Sequence, residues 1–235
     1  MFLISLIFEQ CSFYSLTKSN VCFIIKNVQK FKSENSKEKI LAAATKLFAQ
    51  KGFDGVSIRE ICKEADVNIC MISYYWGGKK ELYQGIIEDL LERQAAYTKT
   101  FLNYDKSPSQ MNTKEKIELL FLITDKFIDY FYSNISSDLI ILLLKEQQKP
   151  RFFADSPAFS YLREIVASLL NKKPDDREII FKTLFILAQI NSPRILAGFS
   201  LRLLGQKEFS QEDIKIIKEN VKFYINALIK EARID

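Results

Sequence analysis

The chain has 235 residues, 48% of them hydrophobic, which is enough for one large core or two smaller ones. Its net charge is +5. It contains no histidine, and this absence excludes Ser-His-Asp and Cys-His catalysis and every metal site with a histidine ligand. Glycine and proline are scarce, at 7 and 5 residues, which favours an all-α protein over a sheet protein with many tight turns.

Residues 1–33 form a first segment that we expect to be a poorly ordered N-terminal extension. Its opening run, "MFLISLIF", ends at Glu9 after eight residues, too few to span a bilayer. No positively charged region precedes the run, as a secretory signal would require. We therefore expect a cytoplasmic protein that does not bind a membrane.

The four cysteines are spaced without any C-x-x-C pair, at Cys11, Cys22, Cys62 and Cys70. This spacing is typical of small buried thiols in a reducing compartment. We expect neither a metal nor a cofactor.

Residues 34–94 carry nine basic and ten acidic side chains, and their pattern predicts a compact three-helix domain. The first helix should be capped by Asn35 or Ser36 and end at Gly52, which is free to adopt a left-handed conformation. One apolar face recurs at helical spacing, formed by Ile40, Leu41, Ala44, Leu47 and Phe48.

Residues 57–76 have the spacing of a helix-turn-helix motif. Ser57 and Glu60 form the capping-box pattern at the start of the second helix. The turn "DVN" follows, and Asn68 is placed to cap a short third helix, "ICMISYYW". Two glycines, Gly77 and Gly78, then end that helix.

Residues 95–235 are predicted to form a C-terminal domain of amphipathic helices. Pro193 lies inside one segment and should kink or split it. From about residue 80 onward, the predicted helices lie near 80–102, which crosses the boundary between the two domains, and near 113–134, 137–149, 157–171, 175–204 and 211–232.

Residues 34–94 resemble the DNA-binding domain of the TetR family of bacterial transcriptional regulators. The resemblance runs through "KEKILAAATKLFAQKGFDGVSIREICKEADVNICMISYYWGGKKELYQGIIE", in which an aromatic recognition helix is followed by Lys79, Glu81 and Leu82. Residues 143–159, "LLKEQQKPRFFADSPAF", resemble a CerR-like branch of the family. Asp66 and Trp76 depart from the family pattern, which usually has Gly and Phe there.

The resemblance implies that the third helix enters the major groove of a double-stranded DNA operator with its N-terminal end first. Val67, Ile72 and Trp76 should face the domain core, whereas Ile69 and Met71 could contact thymine methyl groups. Lys79, Ser57 and the tyrosines should contact phosphates. The implied DNA-binding residues are Ser57, Asn68, Ile69, Cys70, Met71, Ser73, Tyr74, Tyr75 and Lys79.

Simpler interpretations stand beside these assignments. Tyr74 and Tyr75 could be partly buried core residues, and Lys79 and Lys80 could be ordinary solvated lysines. Cys70 could be a redox switch, although a small side chain close to the groove explains it as well. The sequence "GGKK" lacks the register of a phosphate-binding P-loop.

The resemblance also implies a small-molecule effector site and a homodimer in the C-terminal domain. Phe121, Phe127, Phe131, Phe159 and Phe185 are the candidate pocket residues, although phenylalanines at helical spacing are often plain core. The last two long segments, near 175–204 and 211–232, should form a four-helix dimer interface.

The sequence thus predicts a cytoplasmic, ligand-responsive repressor that binds a near-palindromic operator as a homodimer. The alternative is a helical ligand-binding or protein-interaction module without operator-specific binding, which the apolar tip from Ile69 to Met71 favours. An enzyme is the weakest hypothesis, because the chain has no histidine and no paired acidic motif.

Overall fold

The computed structural model describes residues 18–146 and 157–231, and every regular element in them is helical. The expected all-α class is therefore confirmed. The run "MFLISLIF", Cys11 and most of the segment 143–159 lie outside the described residues, as does the side chain of Cys22. Cys62 is buried and Cys70 is exposed.

The described helices follow the predicted order, with boundaries that differ by a few residues except at the start of the first helix and at the split within the predicted 175–204 segment. A short 3₁₀ turn, Pro108–Gln110, lies between the fourth and fifth helices. The helices are α1 (Lys18–Lys51), α2 (Ile58–Ala65), α3 (Cys70–Tyr75), α4 (Lys79–Lys99), α5 (Thr113–Ser133), α6 (Ser137–Glu146), α7 (Pro157–Leu169), α8 (Arg177–Ile195), α9 (Ala197–Leu204) and α10 (Gln211–Glu231).

Helix α1 begins well before the predicted capping position. The expectation that Asn35 or Ser36 caps this helix is wrong, because the chain passes through both residues within one continuous helix. No glycine or proline interrupts the sequence between Lys18 and Lys51, so nothing local ends the helix there. The predicted end is confirmed: Gly52 has φ +75° and donates its N–H to the carbonyl of Phe48 at 2.9 Å.

The N-terminal helices enclose a core around four fully buried side chains, Phe48, Ile61, Ile72 and Leu82. Helix α6, from further along the chain, joins them, since its Leu142 is fully buried in this core and its Leu139 packs against it. Lys145, one turn later, donates its Nζ to the carbonyl of Ala49 at 3.1 Å near the end of α1. Helix α6 is thus anchored directly to the N-terminal domain.

The remaining helices form a second core from α5, α7, α8 and α10. Helix α8 ends at Ile195, two residues after Pro193, and α9 continues at an angle of 69°. The segment is therefore split as predicted, although Pro193 itself stays inside α8 and the break lies at Leu196. Among the described helices, no single one is long and apolar enough to span a membrane, and two bent consecutive pairs reach that length and hydropathy only in combination.

Candidate nucleic-acid interface

Ser57 and Glu60 hold the start of α2 through a reciprocal capping box. The Ser57 hydroxyl accepts from the N–H of Glu60 at 3.2 Å, and the Glu60 carboxylate accepts from the N–H of Ser57 at 2.8 Å. Lys51 reaches the same carboxylate at 2.9 Å. Hydrogen bonds from Lys51, and then from Ser57, lower the pKa of Glu60 to about 2.

This arrangement changes the contact expected of Ser57. Its N–H and its hydroxyl both bind Glu60, so neither points freely toward a phosphate. The backbone N–H groups of Ile58 and Arg59 belong to the first turn of α2, so no earlier carbonyl of the helix accepts them. They are the hydrogen-bond donors that this end of α2 can offer to an anion.

The turn between α2 and α3 contains one residue in the left-handed conformation, Asp66, with φ +53° and ψ +52°. An aspartate thus adopts this conformation at the position where the resemblance leads us to expect glycine. The Oδ1 of Asn68 accepts the N–H of Cys70 at 2.9 Å, so Asn68 holds the first turn of α3 from one residue before its N-cap position, Ile69. The Asn68 side-chain NH₂ is a hydrogen-bond donor that this cap does not use.

Helix α3 has one face in the core and the opposite face in solvent. Ile72 is fully buried, with Val67 and Trp76 half-buried against the same core, as predicted. Ile69, in contrast, is 45% exposed, and Cys70 and Ser73 are also exposed.

Met71 departs from its expected role at the tip of the helix. It is half-buried and packs against the domain core beside Ile72. The outward-facing surface of α3, which we call the reading face, is therefore formed by Ile69, Cys70 and Ser73 together with the amide of Asn68. The reading face carries no charged side chain.

The two tyrosines at the end of α3 lie in different environments. Tyr74 is 78% exposed, whereas Tyr75 is half-buried and packs against the core. The Tyr75 ring contacts both neighbours edge-on, with centroid distances of 5.1 Å to Tyr74 and 5.4 Å to Trp76. The partial-burial interpretation thus applies to Tyr75, and the exposed Tyr74 phenol is the better placed to reach a backbone phosphate.

Lys79, the first residue of α4, is held by an aromatic ring that the sequence analysis did not single out. Its Nζ lies 4.4 Å from the centroid of Phe53, in cation–π contact. Phe53 packs between Phe48 and Tyr83, with centroid distances of 5.7 Å and 5.3 Å. The aromatic residue directly after Gly52 was the signal in the sequence that could have identified this support.

The five phenylalanines proposed for an effector pocket do not form one cluster. Phe121 and Phe127 pack against the C-terminal core, and Phe159 is near the guanidinium of Arg163. Phe131 lies beside Arg194, with 5.4 Å between its ring centroid and the guanidinium carbon. Phe185 is 57% exposed on α8, apart from the side chains that pack against the C-terminal core.

An apolar cleft lies elsewhere, between α5, α7 and α10. Its enclosed space is about 10 Å³, about enough for one water molecule. None of the five phenylalanines lines it, because its walls are Leu120, Val166, Leu169, Leu170, Leu228 and Ile229.

The outer surface of α8, α9 and α10 exposes several large apolar side chains, which we call the apolar outer surface. Phe181 and Phe185 lie one turn apart on α8, with their ring centroids 6.4 Å from each other. Single exposed apolar side chains are common, but adjacent exposed rings such as these two are typical of a contact surface between proteins. The surface comprises Phe181, Phe185, Phe199, Leu203 and Phe223, which are 54% to 77% exposed.

No group of three or more Cys, Asp or Glu side chains in the described part of the chain is arranged to hold a metal ion.

Two family models match this sequence. Residues 40–86 match the bacterial regulatory proteins of the tetR family, and residues 117–231 match the C-terminal domain of the HTH-type transcriptional dual regulator CecR. Together they cover more than half of the chain and include the helix-turn-helix motif.

Individual relatives give the same result. The probable HTH-type transcriptional regulator YttP of Bacillus subtilis (strain 168) is 42% identical over 39% of this chain, a match that spans only 42% of that relative. CecR of Shigella flexneri is 24% identical over 85% of this chain and 93% of its own length. A crystallised variant of HlyIIR, with a linker containing two thrombin sites, is 26% identical with a TM-score of 0.52, over 80% of this chain and 97% of that one.

Proposed function

The chain belongs to the TetR family of bacterial transcriptional regulators, and we propose that it is a homodimeric, ligand-responsive repressor of a near-palindromic operator. Regulators of this family bind DNA rather than catalyse a reaction. The observation that carries the proposal is the orientation of α3, whose Ile72 is fully buried while Ile69 and Ser73 face solvent. A helix anchored on one side and free on the other can enter a major groove.

The proposed contacts with the DNA backbone flank this reading face. Tyr74 extends a phenol from the end of α3, and Lys79 presents a cation that the Phe53 ring keeps close to the start of α4. The start of α2 adds backbone N–H donors next to Ser57. These groups would fix the helix on the phosphates, while base recognition is left to the reading face.

We propose that residues 34–94 bind DNA and that residues 95–235 bind the effector and dimerise, in the cytoplasm. The apolar outer surface supports this division, because covering Phe181, Phe185 and Phe223 with a second copy would remove large apolar area from water. In such a dimer the two α3 helices must lie roughly 34–36 Å apart to reach successive major grooves.

The apolar reading face favours one alternative, a ligand-binding or protein-interaction module without operator-specific binding. Ile69 offers no hydrogen bond, and the Asn68 oxygen is engaged with the N–H of Cys70. An apolar tip of this kind can also fit a protein groove.

A mobility-shift titration on the DNA upstream of the protein's own gene tests the proposal. We expect salt-dependent binding that is much tighter than binding to a scrambled fragment of equal length. Equal, weak binding to both fragments would favour the alternative module. Because the Shigella relative is described as a dual regulator, a promoter–reporter assay with and without the protein tests repression separately.

A further inference from the structure

Arg194, near the end of α8, is a half-buried cation without an anionic partner among the described residues. Its Nη2 donates to the backbone carbonyl of Ile135, while its Nη1 is buried and has no hydrogen-bond partner. Burial lowers the pKa of Arg194 below its ordinary value. Because buried charges in proteins are normally paired, the unused N–H groups of this guanidinium have the capacity to bind a further anionic group.

Aromatic rings surround the same guanidinium. The guanidinium carbon lies 5.4 Å from the ring centroid of Phe131 and 5.6 Å from that of Tyr132. Tyr132 donates its hydroxyl to the carbonyl of Ile190 at 3.2 Å, and its ring meets Phe209 edge-on at 5.5 Å. The guanidinium is thus a fixed cation in apolar surroundings, a combination that suits a ligand with one anionic group and an apolar body.

We propose that Arg194 is the anion-binding residue of the effector site, and that the effector is a small organic carboxylate with an apolar body. The site lies where the end of α5, the end of α8 and the segment before α10 meet. A carboxylate fits the planar guanidinium through paired hydrogen bonds, whereas a doubly charged phosphate would be costlier to desolvate here. This inference rests on the proposed function, because it names the ligand class of the proposed regulator.

The position of Arg194 explains how such a ligand would act on DNA binding. Nη1 is buried, so a carboxylate reaches it only after the surrounding side chains move, and the ligand therefore favours a different conformation. The carbonyl that Arg194 now binds belongs to Ile135, two residues before α6. Helix α6 in turn inserts Leu142 into the N-terminal core, so a shift of the α5–α6 turn would reach the DNA-binding helices.

The test measures carboxylate binding to the full chain without DNA. Benzoate and octanoate are titrated against the protein by thermal-shift assay, with benzamide and octanamide as neutral counterparts. We expect a saturable rise in Tm with at least one carboxylate and none with its amide, because only a species that binds the folded chain raises Tm. Arg194→Gln should weaken that binding by about tenfold or more.

A matched control exists in Arg163, which also has a buried, unpartnered nitrogen and lies 5.9 Å from the Phe159 ring. Arg163→Gln should leave carboxylate affinity unchanged. Arg194→Lys retains a cation at the site if the glutamine variant does not fold, and it should still bind more weakly because lysine lacks the planar fork.

Two results would overturn the inference: no stabilisation of the unmodified chain by either carboxylate, or equal stabilisation of the Arg194 variants and the unmodified chain. Operator binding is measured separately on the same samples. If no carboxylate binds, the proposal that the protein regulates transcription therefore still stands. If no operator DNA is bound, the result of the carboxylate titration is unaffected.

Discussion

The indole ring of Trp76 lies directly against the backbone of Gly85, so that a Cβ on Gly85 would come within 2.4 Å of Nε1 and 2.7 Å of Cδ1. Gly85 is buried in α4, and its missing side chain lets α4 approach the end of α3 closely. The orientation of the reading face therefore depends on this contact as well as on Ile72.

Gly85→Ala should destabilise the protein by about 1–3 kcal/mol, because the added methyl group overpacks a site with no space for it. Urea denaturation followed by Trp76 fluorescence measures the change. Gly198→Ala is the matched control, since a Cβ there meets nothing within 4 Å and α9 should gain helix propensity. Equal stability of the Gly85 variant and the unmodified protein would show that the indole can relocate freely.

Lys79→Ala should weaken binding to all DNA sequences and reduce the salt dependence of log K by about one unit, because one phosphate contact is lost. Phe53→Leu should weaken binding less and leave the salt slope unchanged, because the charge remains and only its aromatic support is removed. Mobility-shift titrations at several salt concentrations measure both slopes. Lys114→Ala is the control, because Lys114 is 86% exposed on α5. If Lys114→Ala changed the salt dependence of log K as much as Lys79→Ala does, the phosphate contact of Lys79 would be contradicted.

Ile69 should contribute to sequence preference through thymine methyl groups, because it is the large apolar side chain of the reading face. Replacing single thymines of the operator with deoxyuridine removes one methyl group while keeping every hydrogen bond. We expect at least one position in each half-site where this replacement weakens binding by the unmodified protein and leaves binding by Ile69→Ala unchanged. Met71→Ala, at a half-buried position, should retain the methyl sensitivity. If both proteins respond identically at every position, Ile69 does not read thymine.

Local signals predicted much of this structure, and contacts between distant residues accounted for the rest. The capping box of Ser57 and Glu60, the left-handed Gly52 and the break after Pro193 each depend on a few adjacent residues. In contrast, the contact of Lys145 with Ala49 joins residues 96 positions apart, and no periodicity in either segment indicates it.

The same distinction applies to the candidate site. The role of Asn68 at the start of α3 was predictable, whereas the support of Lys79 by Phe53 and of Trp76 by Gly85 required the packing of whole helices. The start of α1 was predicted wrongly because Asn35 and Ser36 are good caps only where the preceding chain leaves the helix.

Glu60 should make stability depend on pH in an acidic window. Its folded pKa is lowered from 4.5 to about 2, so it stabilises the fold above pH 4.5, and this contribution is lost as pH falls toward 2. The difference in unfolding free energy between the unmodified protein and Glu60→Gln should therefore be constant near neutral pH and shrink below pH 4.5. Urea denaturation at stepwise pH measures it. Lys51→Ala removes the largest cause of the lowered Glu60 pKa, so the pH range over which this free-energy difference shrinks should become narrower. An unchanged range would mean that Ser57 alone lowers the pKa.

Replacing Phe181 and Phe185 together with glutamate should convert the proposed dimer into a monomer. The two rings stand exposed on α8, and two charges per copy within a face that pairs with itself would be left buried and unpaired. Light scattering coupled to size-exclusion chromatography gives the mass directly, and circular dichroism checks that the helices persist. Leu91→Glu is the control, because Leu91 is similarly apolar and 37% exposed but lies on α4, outside the apolar outer surface. Since a monomer presents one α3 helix instead of two, the phenylalanine variant should also lose most of its operator affinity while Leu91→Glu keeps it. A variant that stays dimeric would place the contact between copies elsewhere, and a monomeric unmodified protein would contradict the proposed dimer.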